Sequence, residues 1–345
     1  MRIALVAPVD ESIPPRTYGG IEGIVHLLDR GLATRGHDVI LLASGGSLSS
    51  GRLVLLTDAP IRAEGRDQDP AEVVVRKEAA AGRAARLLAD LGVDVVLNHS
   101  WRLIDHLDSP SYPVVTTVHY PLDADPYRSV FLARPQATYV SVSWSQQRGI
   151  DSLRFIGNVY NGIDLAAHPF SARANGYLAF LGRVSPDKGL DLAIRVAQAV
   201  EMPLLVAAKI DQTQRPWFDA VIAPLLHGGG VELIGEVNAA ERAALLGGAN
   251  ALMHPSRWSE PFGLAAVEAM ACGTPVVALR RGAADEVIGH GSSGIVVDDE
   301  SELANAVTRA LGLSRVACRA HVEARFTHER MAAEYEELAW KCAIS

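Results

Sequence analysis

Short apolar segments alternate with amphipathic ones along most of the sequence, and this alternation constrains the fold more than any other feature. The apolar segments are four to seven residues long and carry aliphatic side chains at odd and even positions alike, as in RIALVAP at positions 2–8. Strands that are apolar on both faces are typical of parallel sheets covered by helices on each side. The sequence therefore predicts an α/β protein with parallel sheets.

The alternation predicts strands in both halves of the chain. The predicted strands of the first half are Arg2–Pro8, His37–Ala43, Arg52–Leu56, Asp94–Asn98, Pro113–His119, Thr138–Val142 and Phe155–Tyr160. Those of the second half are Tyr177–Gly182, Pro203–Ala208, Val231–Ile234, Ala251–His254, Pro275–Ala278 and Gly294–Val297. The predicted helices are Glu22–Thr34, Ala71–Leu91, Asp187–Val200, Phe218–His227, Ala239–Gly247, Gly263–Cys272, Ser301–Leu311 and His328–Cys342.

The chain is long enough for two domains, because one domain usually takes about 100–200 residues and this chain has 345. A stretch rich in turn residues, Asn161–Phe170, separates one strand–helix series from the next. We predict two doubly wound domains in tandem, over residues 1–166 and 167–325, followed by a helical tract at 326–345. Ligands of such domains bind at the carboxyl ends of the strands, so we expect a site in the crevice between them.

Composition and charge exclude several classes of protein. The chain is 49% hydrophobic and 21% charged, as in globular proteins and unlike disordered or fibrous ones. Its 32 basic and 40 acidic residues give a net charge of -8, which argues against nucleic-acid binding. No apolar run approaches the ~18 residues of a transmembrane segment. Three scattered cysteines without metal-ligand spacing, and a strand-like start, predict a cytoplasmic protein.

The densest group of chemically useful residues lies at positions 256–271, SRWSEPFGLAAVEAMA. Ser259 is a good helix N-cap and Pro261 suits a first helical turn, so we predict that a helix begins here. Glu260 would precede this helix, and Glu268 would lie on it among apolar side chains. A buried carboxylate needs hydrogen-bond donors, and sugar hydroxyls are suitable ones. We favour a binding site over the alternative, a helix-start charge followed by an exposed glutamate.

Two cations and two glycines lie where strands give way to helices. Gly182 and Arg183 end the first strand of the second half, and Lys188 follows near a helix start, where a cation is unfavourable against the helix dipole. This placement favours a diphosphate clamp over two unrelated surface cations. Gly19 and Gly20 fall between the first strand and helix, where backbone N–H groups can meet an anion. An ordinary glycine turn is the alternative.

Three other features are weaker. His119 ends an apolar strand and would lie at the predicted crevice, where structural and catalytic roles are equally compatible. The segment 289–294, GHGSSG, fits G-x-G-x-x-G but follows a helix and precedes a strand, the reverse of the dinucleotide-binding order. Asp123 and Asp125 resemble a D-x-D metal motif, but they follow Tyr120-Pro121 in a polar loop and Pro126 comes directly after them, so we interpret them as part of a solvated loop.

With these motifs the sequence resembles the family 4 glycosyltransferases of the GT-B type. The resemblance extends over nearly the whole chain, with the motifs in the family's order. In the second half it is carried by Gly182-Arg183, Lys188-Gly189, Glu260 to Glu268, Gly273–Val277, Asp285–Val287 and Gly294–Val297. In the first half it is carried by Tyr18–Gly20, the strand ending in His119, and Tyr160–Asp164.

The resemblance implies both a fold and an activity. The fold would be two tandem Rossmann-like domains facing a central cleft, with the last helix crossing back to the first domain. The activity would be the retaining transfer of a sugar from a nucleotide diphosphate sugar, most simply a UDP-sugar, to an acceptor hydroxyl. Neither a metal nor a cofactor is expected besides this co-substrate. A nucleotide-sugar epimerase or phosphorylase on the same fold, and a non-catalytic nucleotide-sugar-binding module, are the alternatives.

The resemblance also implies roles for individual residues. Arg183 and Lys188 would neutralise the donor diphosphate at the Gly182 strand end, and Gly19 and Gly20 would approach the same diphosphate. In the rest of the donor site, Glu260 would bind hydroxyls of the transferred sugar, and Glu268 would bind the ribose. The backbone amides of Phe262, Gly263 and Leu264 would contact the sugar and the distal phosphate. The base would face Gly235, Glu236 and Val237.

The resemblance places His119 near the anomeric carbon or an outer sugar hydroxyl. Many relatives have Asp after this histidine, but here Tyr120 follows it, so the sequence leaves the hydrogen-bond partner of the imidazole unidentified.

The acceptor stays open between surface-polysaccharide, lipid-linked and natural-product hydroxyls. An acceptor face in the first domain would be lined by Arg16, Tyr18, Trp101, Tyr120 and Tyr127, and the alternative for the aromatic ones is an ordinary place in the core. A peripheral membrane contact is weakly favoured by the cations of one helix, Arg76, Lys77, Arg83 and Arg86.

Overall fold

The computed structural model describes residues 1–16, 19–64, 69–107 and 109–344, and the chain folds into two compact units. Unit 1 comprises Met1–Gly162 and His328–Ser345, and unit 2 comprises Ile163–Thr327. The divisions thus fall at 162/163 and 327/328, where the prediction placed them at 166/167 and 325/326. Ile163 donates its backbone N–H to the carbonyl of Phe326 at 2.9 Å, and this contact draws both flanking segments into unit 2.

Unit 1 is built, in its described residues, on a seven-stranded parallel sheet of order β3-β2-β1-β4-β5-β6-β7. The strands are β1 (Arg2–Val6), β2 (Asp38–Ser44), β3 (Arg52–Thr57), β4 (Val95–Asn98), β5 (Val114–Val118), β6 (Thr138–Ser141) and β7 (Arg154–Asn158). Ile3, Leu5, Leu41 and Leu42 of the central strands are fully buried, as expected for a sheet covered on both faces.

Unit 2 holds a six-stranded parallel sheet of order β10-β9-β8-β11-β12-β13. Its strands are β8 (Leu178–Arg183), β9 (Leu204–Lys209), β10 (Val231–Gly235), β11 (Ala251–His254), β12 (Val276–Leu279) and β13 (Gly294–Val297). Every predicted strand is therefore present, with ends shifted by a few residues at most. The prediction of two doubly wound parallel-sheet units is confirmed.

Helices connect and cover these strands. In the described residues they are α1 (Gly20–Thr34), α2 (Pro70–Asp90), α3 (Tyr127–Leu132), α4 (Leu190–Ala199), α5 (Arg215–Trp217), α6 (Ala223–Leu226), α7 (Ala239–Gly248), α8 (Leu264–Ala271), α9 (Ala284–Val287), α10 (Leu303–Ala310), α11 (Arg315–Arg325) and α12 (His328–Ile344). Between α5 and α6 lies one π-helical turn, Phe218–Ile222. The last helix, α12, packs on α1 within unit 1. None of the helices described is both long and apolar enough to span a membrane.

The strand order identifies where a ligand should bind in each unit. In unit 1 the chain moves outward from β1 to β3 and then returns to β4 on the other side of β1; in unit 2 it does the same around β8 and β11. Ligands of doubly wound sheets bind at the carboxyl ends of the strands flanking such a switch point. His99 follows β4, Arg183 ends β8 and His254 ends β11, so these side chains lie at the two switch points.

Candidate active site

Arg183 is the cation at the switch point of unit 2. It is the last residue of β8, one position after Gly182, and its side chain is half-buried. With the residues that the structure describes, its guanidinium forms neither a hydrogen bond nor an ion pair. A partly desolvated cation without a protein partner is well suited to bind an anionic ligand.

Lys188 pairs with Glu260, so the structure brings two of the predicted residues together. The Lys188 ammonium donates to Oε2 of Glu260, and the Trp258 indole N–H donates to the same oxygen at 2.7 Å. The ammonium also lies 4.7 Å from the centre of a Trp258 ring. Gly189 adopts a φ of 72°, and a Cβ there would lie 2.2 Å from the carbonyl oxygen of Pro255. Position 189 therefore requires glycine, and the turn that Gly189 allows sets the position of the Lys188 side chain.

The electrostatics of this pair involve a residue that the sequence analysis did not identify, His254. Burial alone would raise the pKa of Glu260, but Lys188, His254 and the Trp258 hydrogen bond together hold it below its usual value. Burial lowers the pKa of His254, with Lys188 acting in the same direction and Glu260 opposing it. At neutral pH, Glu260 is therefore a carboxylate beside a neutral imidazole. The sequence feature that could have identified His254 is its position directly after the apolar strand residues Ala251–Met253.

The loop before α8 differs from the prediction. Ser259 does not cap a helix: α8 begins at Leu264, and its N-cap is Gly263, with a φ of 93°. The loop takes its shape from a neighbouring turn, because Ala283 donates its N–H to the Glu260 carbonyl at 2.9 Å. The amides of Gly263 and Leu264 donate to no acceptor among the described residues. They are oriented as a helix start, which attracts anions.

Phe262 anchors the same loop. Its side chain is 4% exposed and packs edge-on against Phe326, with ring centres 5.6 Å apart. The loop therefore holds the following amides in a fixed place.

Glu268 lies on α8 with 13% of its side chain exposed, and it has two basic neighbours that the sequence did not reveal. Its carboxylate oxygens lie 3.8 Å from Nε2 of His168 and 3.6 Å from Nε of Arg242. Burial alone would raise the pKa of Glu268, but His168 and Arg242 hold it below its usual value. Glu268 is thus a fixed carboxylate at neutral pH, able to accept hydrogen bonds from ligand hydroxyls.

The segment assigned to the base lies at the edge of the unit 2 sheet. Gly235 ends β10 with a φ of 77°, and Glu236 and Val237 lead into α7, which starts with a capping box between Asn238 and Glu241. Gly235 and Glu236 are exposed. The structure therefore places this segment on an accessible loop, where a flat ring could reach its backbone.

In unit 1, His119 has a partner in another histidine, His99. Nδ1 of His99 and Nε2 of His119 are 2.9 Å apart, and the rings stack with centres 5.2 Å apart. Burial lowers the pKa of His119 to about 3 and also lowers the pKa of His99, so both rings are neutral near pH 7. The sequence analysis left the partner of His119 unidentified; it comes from the neighbouring strand end rather than from the next residue.

Gly19 and Gly20 lie at the start of α1, Gly19 as its N-cap. A Cβ on Gly19 would lie 2.7 Å from Cβ of Pro15 and 3.0 Å from a carboxylate oxygen of Glu22, so a side chain has no room there. Burial is the main reason that the pKa of Glu22 is raised to about 7. The preceding Tyr18 lies outside the described residues.

The residues expected on the acceptor face form an aromatic row. The rings of Tyr120 and Tyr127 stack with centres 4.1 Å apart, and Trp101 meets Tyr127 edge-on at 5.9 Å. All three side chains are half-buried. Arg16 is exposed, and its loop runs directly into the undescribed positions 17–18.

Two other sequence features have structural roles. Asp125 accepts hydrogen bonds from the backbone and hydroxyl of Ser129, so it stabilises the start of α3. Lys77 of α2 is paired with Asp10 within unit 1. In the part of the chain that the structure describes, no three His, Cys, Asp or Glu residues are grouped as metal ligands.

Two family models match the chain in tandem and together cover most of it. The model described as Glycosyltransferase Family 4 matches residues 18–167, and the model described as Glycosyl transferases group 1 matches residues 169–323. The chain is a family 4 glycosyltransferase. The predicted family and the prediction of an enzyme are thereby confirmed, and the glycosyltransferase uses a nucleotide sugar as its donor.

Named relatives agree with this membership. The glycosyltransferase is 28% identical to a glycogen synthase of Mycobacterium tuberculosis over 388 aligned positions, covering 97% of this chain and 91% of the relative. AviGT4, a glycosyltransferase involved in avilamycin A biosynthesis, superimposes with a TM-score of 0.76 at 25% identity, covering 100% and 98% of the two chains. Anabaena HepE, solved with UDP-glucose, has the same fold, with a TM-score of 0.73 at 17% identity over 99% and 100%.

Proposed function

We propose that this glycosyltransferase transfers a sugar from a UDP-sugar to an acceptor hydroxyl, with retention of configuration and without a metal ion. The observation that carries the proposal is the Arg183 guanidinium at the end of β8, which has no partner among the described residues. It occurs in the same unit as the amides of Gly263 and Leu264, which likewise meet no acceptor in the described structure, and the carboxylates of Glu260 and Glu268. Cations and amides suit a diphosphate, and fixed carboxylates suit sugar hydroxyls.

Each group then has a role in binding the donor. Arg183 binds the diphosphate. Lys188 holds Glu260 in place by its ion pair and adds positive charge beside the diphosphate. Glu260 accepts a hydrogen bond from the transferred sugar, since one of its oxygens is already held by Lys188 and Trp258 and the other is available. Glu268 accepts hydrogen bonds from the ribose. The loop Gly235–Val237 contacts the base.

In the reaction, the bond from the anomeric carbon to the diphosphate oxygen breaks, and its electron pair leaves with the diphosphate. The acceptor hydroxyl oxygen bonds to the anomeric carbon, and its proton passes to the departing phosphate. Negative charge grows on the diphosphate, so Arg183, Lys188 and the α8 amides stabilise the transition state. Because these groups supply positive charge, the proposal includes no metal ion.

In this retaining reaction, Glu260 does not act as a covalent nucleophile. Its low pKa and its two donors, Lys188 and Trp258, make it a weak nucleophile. We therefore propose attack of the acceptor on the face from which the diphosphate departs, without a covalent intermediate.

The acceptor belongs to unit 1 in this proposal, where the row of Trp101, Tyr127 and Tyr120 offers flat apolar surfaces for a sugar or another ring. A relative named for glycogen synthesis and a structural neighbour named for avilamycin A biosynthesis support a glycan or a natural product as the acceptor.

A thermal-shift panel tests the donor. We expect UDP to raise the melting temperature more than ADP, GDP or UMP do, because at equal concentration a ligand that binds the folded state more tightly stabilises it more. Arg183→Ala should lose part of the UDP shift, whereas Arg309→Ala, which changes an exposed arginine of α10, should keep all of it. A flat response of the wild type to every diphosphate would refute the proposal.

A further inference from the structure

The contact between His99 and His119 leaves one ring nitrogen on each residue to be explained. Nε2 of His99 is fully buried and has no hydrogen-bond partner in the part of the chain that the structure describes. Nδ1 of His119 has no partner among the described residues either, but His119 is only half-buried. Nε2 of His99 therefore lies inside the unit, whereas Nδ1 of His119 lies at the carboxyl end of β5, on a residue that is partly exposed.

The buried Nε2 of His99 decides which nitrogens carry the protons. If His119 donated to His99, then His99 would carry its own proton on Nε2, and that N–H would be buried without an acceptor. If instead His99 donates from Nδ1, its buried Nε2 carries no proton and is only an acceptor without a donor. Orphaned buried N–H groups are rarer and costlier than under-satisfied acceptors. His99 is therefore the donor, and His119 accepts at Nε2 and carries its proton on Nδ1.

The surroundings of His99 hold it in this orientation. Its backbone N–H donates to the carbonyl of Val6 at 2.8 Å, which ties it to the end of β1. The ring of Tyr335, on α12, lies 5.7 Å from the His99 ring, and its hydroxyl is hydrogen-bonded to Thr117 of β5 at 2.8 Å. His99 is 1% exposed. Contacts within unit 1 therefore hold both the backbone and the ring of His99 in place.

We propose that His99 is a positioning residue that fixes His119 in the Nδ1–H tautomer, so that His119 presents a neutral N–H donor to an oxygen atom of the substrate. The oxygen that accepts this hydrogen bond would belong to a hydroxyl of the sugar or to a phosphate of the substrate. The catalytic part of this inference rests on the proposed function.

The tautomer can be measured without any activity. In a two-bond ¹H–¹⁵N correlation spectrum of the ¹⁵N-histidine-labelled protein near pH 7, we expect a protonated Nδ1 and an unprotonated Nε2 for both His99 and His119. Spectra of His99→Asn and His119→Gln assign the signals. A protonated Nε2 on His119 would overturn the proposal, even if the protein turns over nucleotide sugars.

Kinetics test the consequence for catalysis. His99→Leu should lower kcat by roughly 10- to 100-fold, by analogy with the loss when the hydrogen-bond partner of a metal-ligating histidine is removed, with a smaller change in the donor KM. His99→Asn keeps an N–H near the position of Nδ1 and should recover most of that loss. His227→Leu, an exposed histidine of unit 2, is the matched control.

A double-mutant comparison separates positioning from a structural effect. In the His119→Ala background, His99→Leu should cost no further kcat, because its effect passes through His119. An equal loss in both backgrounds would contradict the proposal. If His99→Leu does not fold, the wild-type spectrum decides alone; if the wild type turns over no nucleotide sugar, the proposed function fails while the tautomer is still tested.

Discussion

The Lys188 ammonium and the Glu260 carboxylate form a largely buried ion pair, with 14% and 16% of the side chains exposed. A substitution of either residue therefore also affects the charge of its partner. Losing one partner leaves the other charge in a poorly solvated place, which costs more than losing both.

Lys188→Met should lower the free energy of unfolding by about 2–3 kcal/mol, because Glu260 is left buried without its cation. The double variant Lys188→Met/Glu260→Gln should recover part of this loss, since no buried charge is left unpaired. Chemical denaturation of the single and double variants measures both values. Strictly additive losses would contradict the coupling.

Glu260→Gln should also reduce turnover strongly while the protein stays folded. The amide keeps the shape of the side chain but loses the charge that accepts a hydrogen bond from the donor sugar. We expect kcat to fall by roughly 10²-fold, as when one preorganised polar group is removed. Normal turnover in this variant would remove Glu260 from the proposed site.

Arg183→Ala should lose far more turnover than nucleotide binding. Its guanidinium meets charge that grows in the transition state, so kcat should fall roughly 10²- to 10³-fold, while the UDP dissociation constant rises less. Arg183→Lys should recover part of the rate, because it keeps the charge but not the two-pronged geometry. Near-normal kcat in Arg183→Ala would refute the electrostatic role.

The fold was predictable because strand and helix periodicity is a local property. All strands of the described structure were predicted, but α11 was missed, although Ser314 caps it. Only Cys318 and Val322 of α11 are buried, so its apolar face is too narrow to stand out among its charged residues. The short α3 was missed because six residues give too few repeats.

The candidate site was predictable only in part. Arg183 and Glu260 were identified because they lie at a strand end and just before a predicted helix, and Glu268 because it lies on that helix among apolar residues. The partners of Glu268, namely His168 and Arg242, lie on other elements, and no local pattern links them to it. The same holds for the loop at Glu260, which is shaped by Ala283, more than twenty residues later.

The pair of His168 and Glu268 should make stability depend on pH. Burial alone would lower the pKa of His168, but Glu268 raises it above its usual value; the pKa of Glu268 is lowered. His168 therefore stabilises the fold below its unfolded pKa of about 6.5 and loses this contribution as pH rises through its folded pKa. Glu268 contributes above its unfolded pKa and loses its contribution as pH falls through its folded pKa.

His168→Gln should accordingly destabilise the protein more at pH 6 than at pH 9, by on the order of 1 kcal/mol. Denaturation of the wild type and the variant at both pH values gives the difference. His227→Gln, which changes an exposed histidine, controls for histidine titration in general. A difference that does not vary with pH would exclude a charged His168.

The contact between α1 and α12 allows no side chain at Gly31, where a Cβ would lie 2.5 Å from Cβ of Ala332. Gly31→Ala should therefore destabilise the protein by about 1–2 kcal/mol, because overpacking costs more than the ~1 kcal/mol gained in helix propensity. Gly23→Ala, on the same helix with no heavy atom within 4 Å, should be neutral or up to about 1 kcal/mol more stable. Equal stabilities of the two variants in chemical denaturation would show that α12 does not press on α1 at this point.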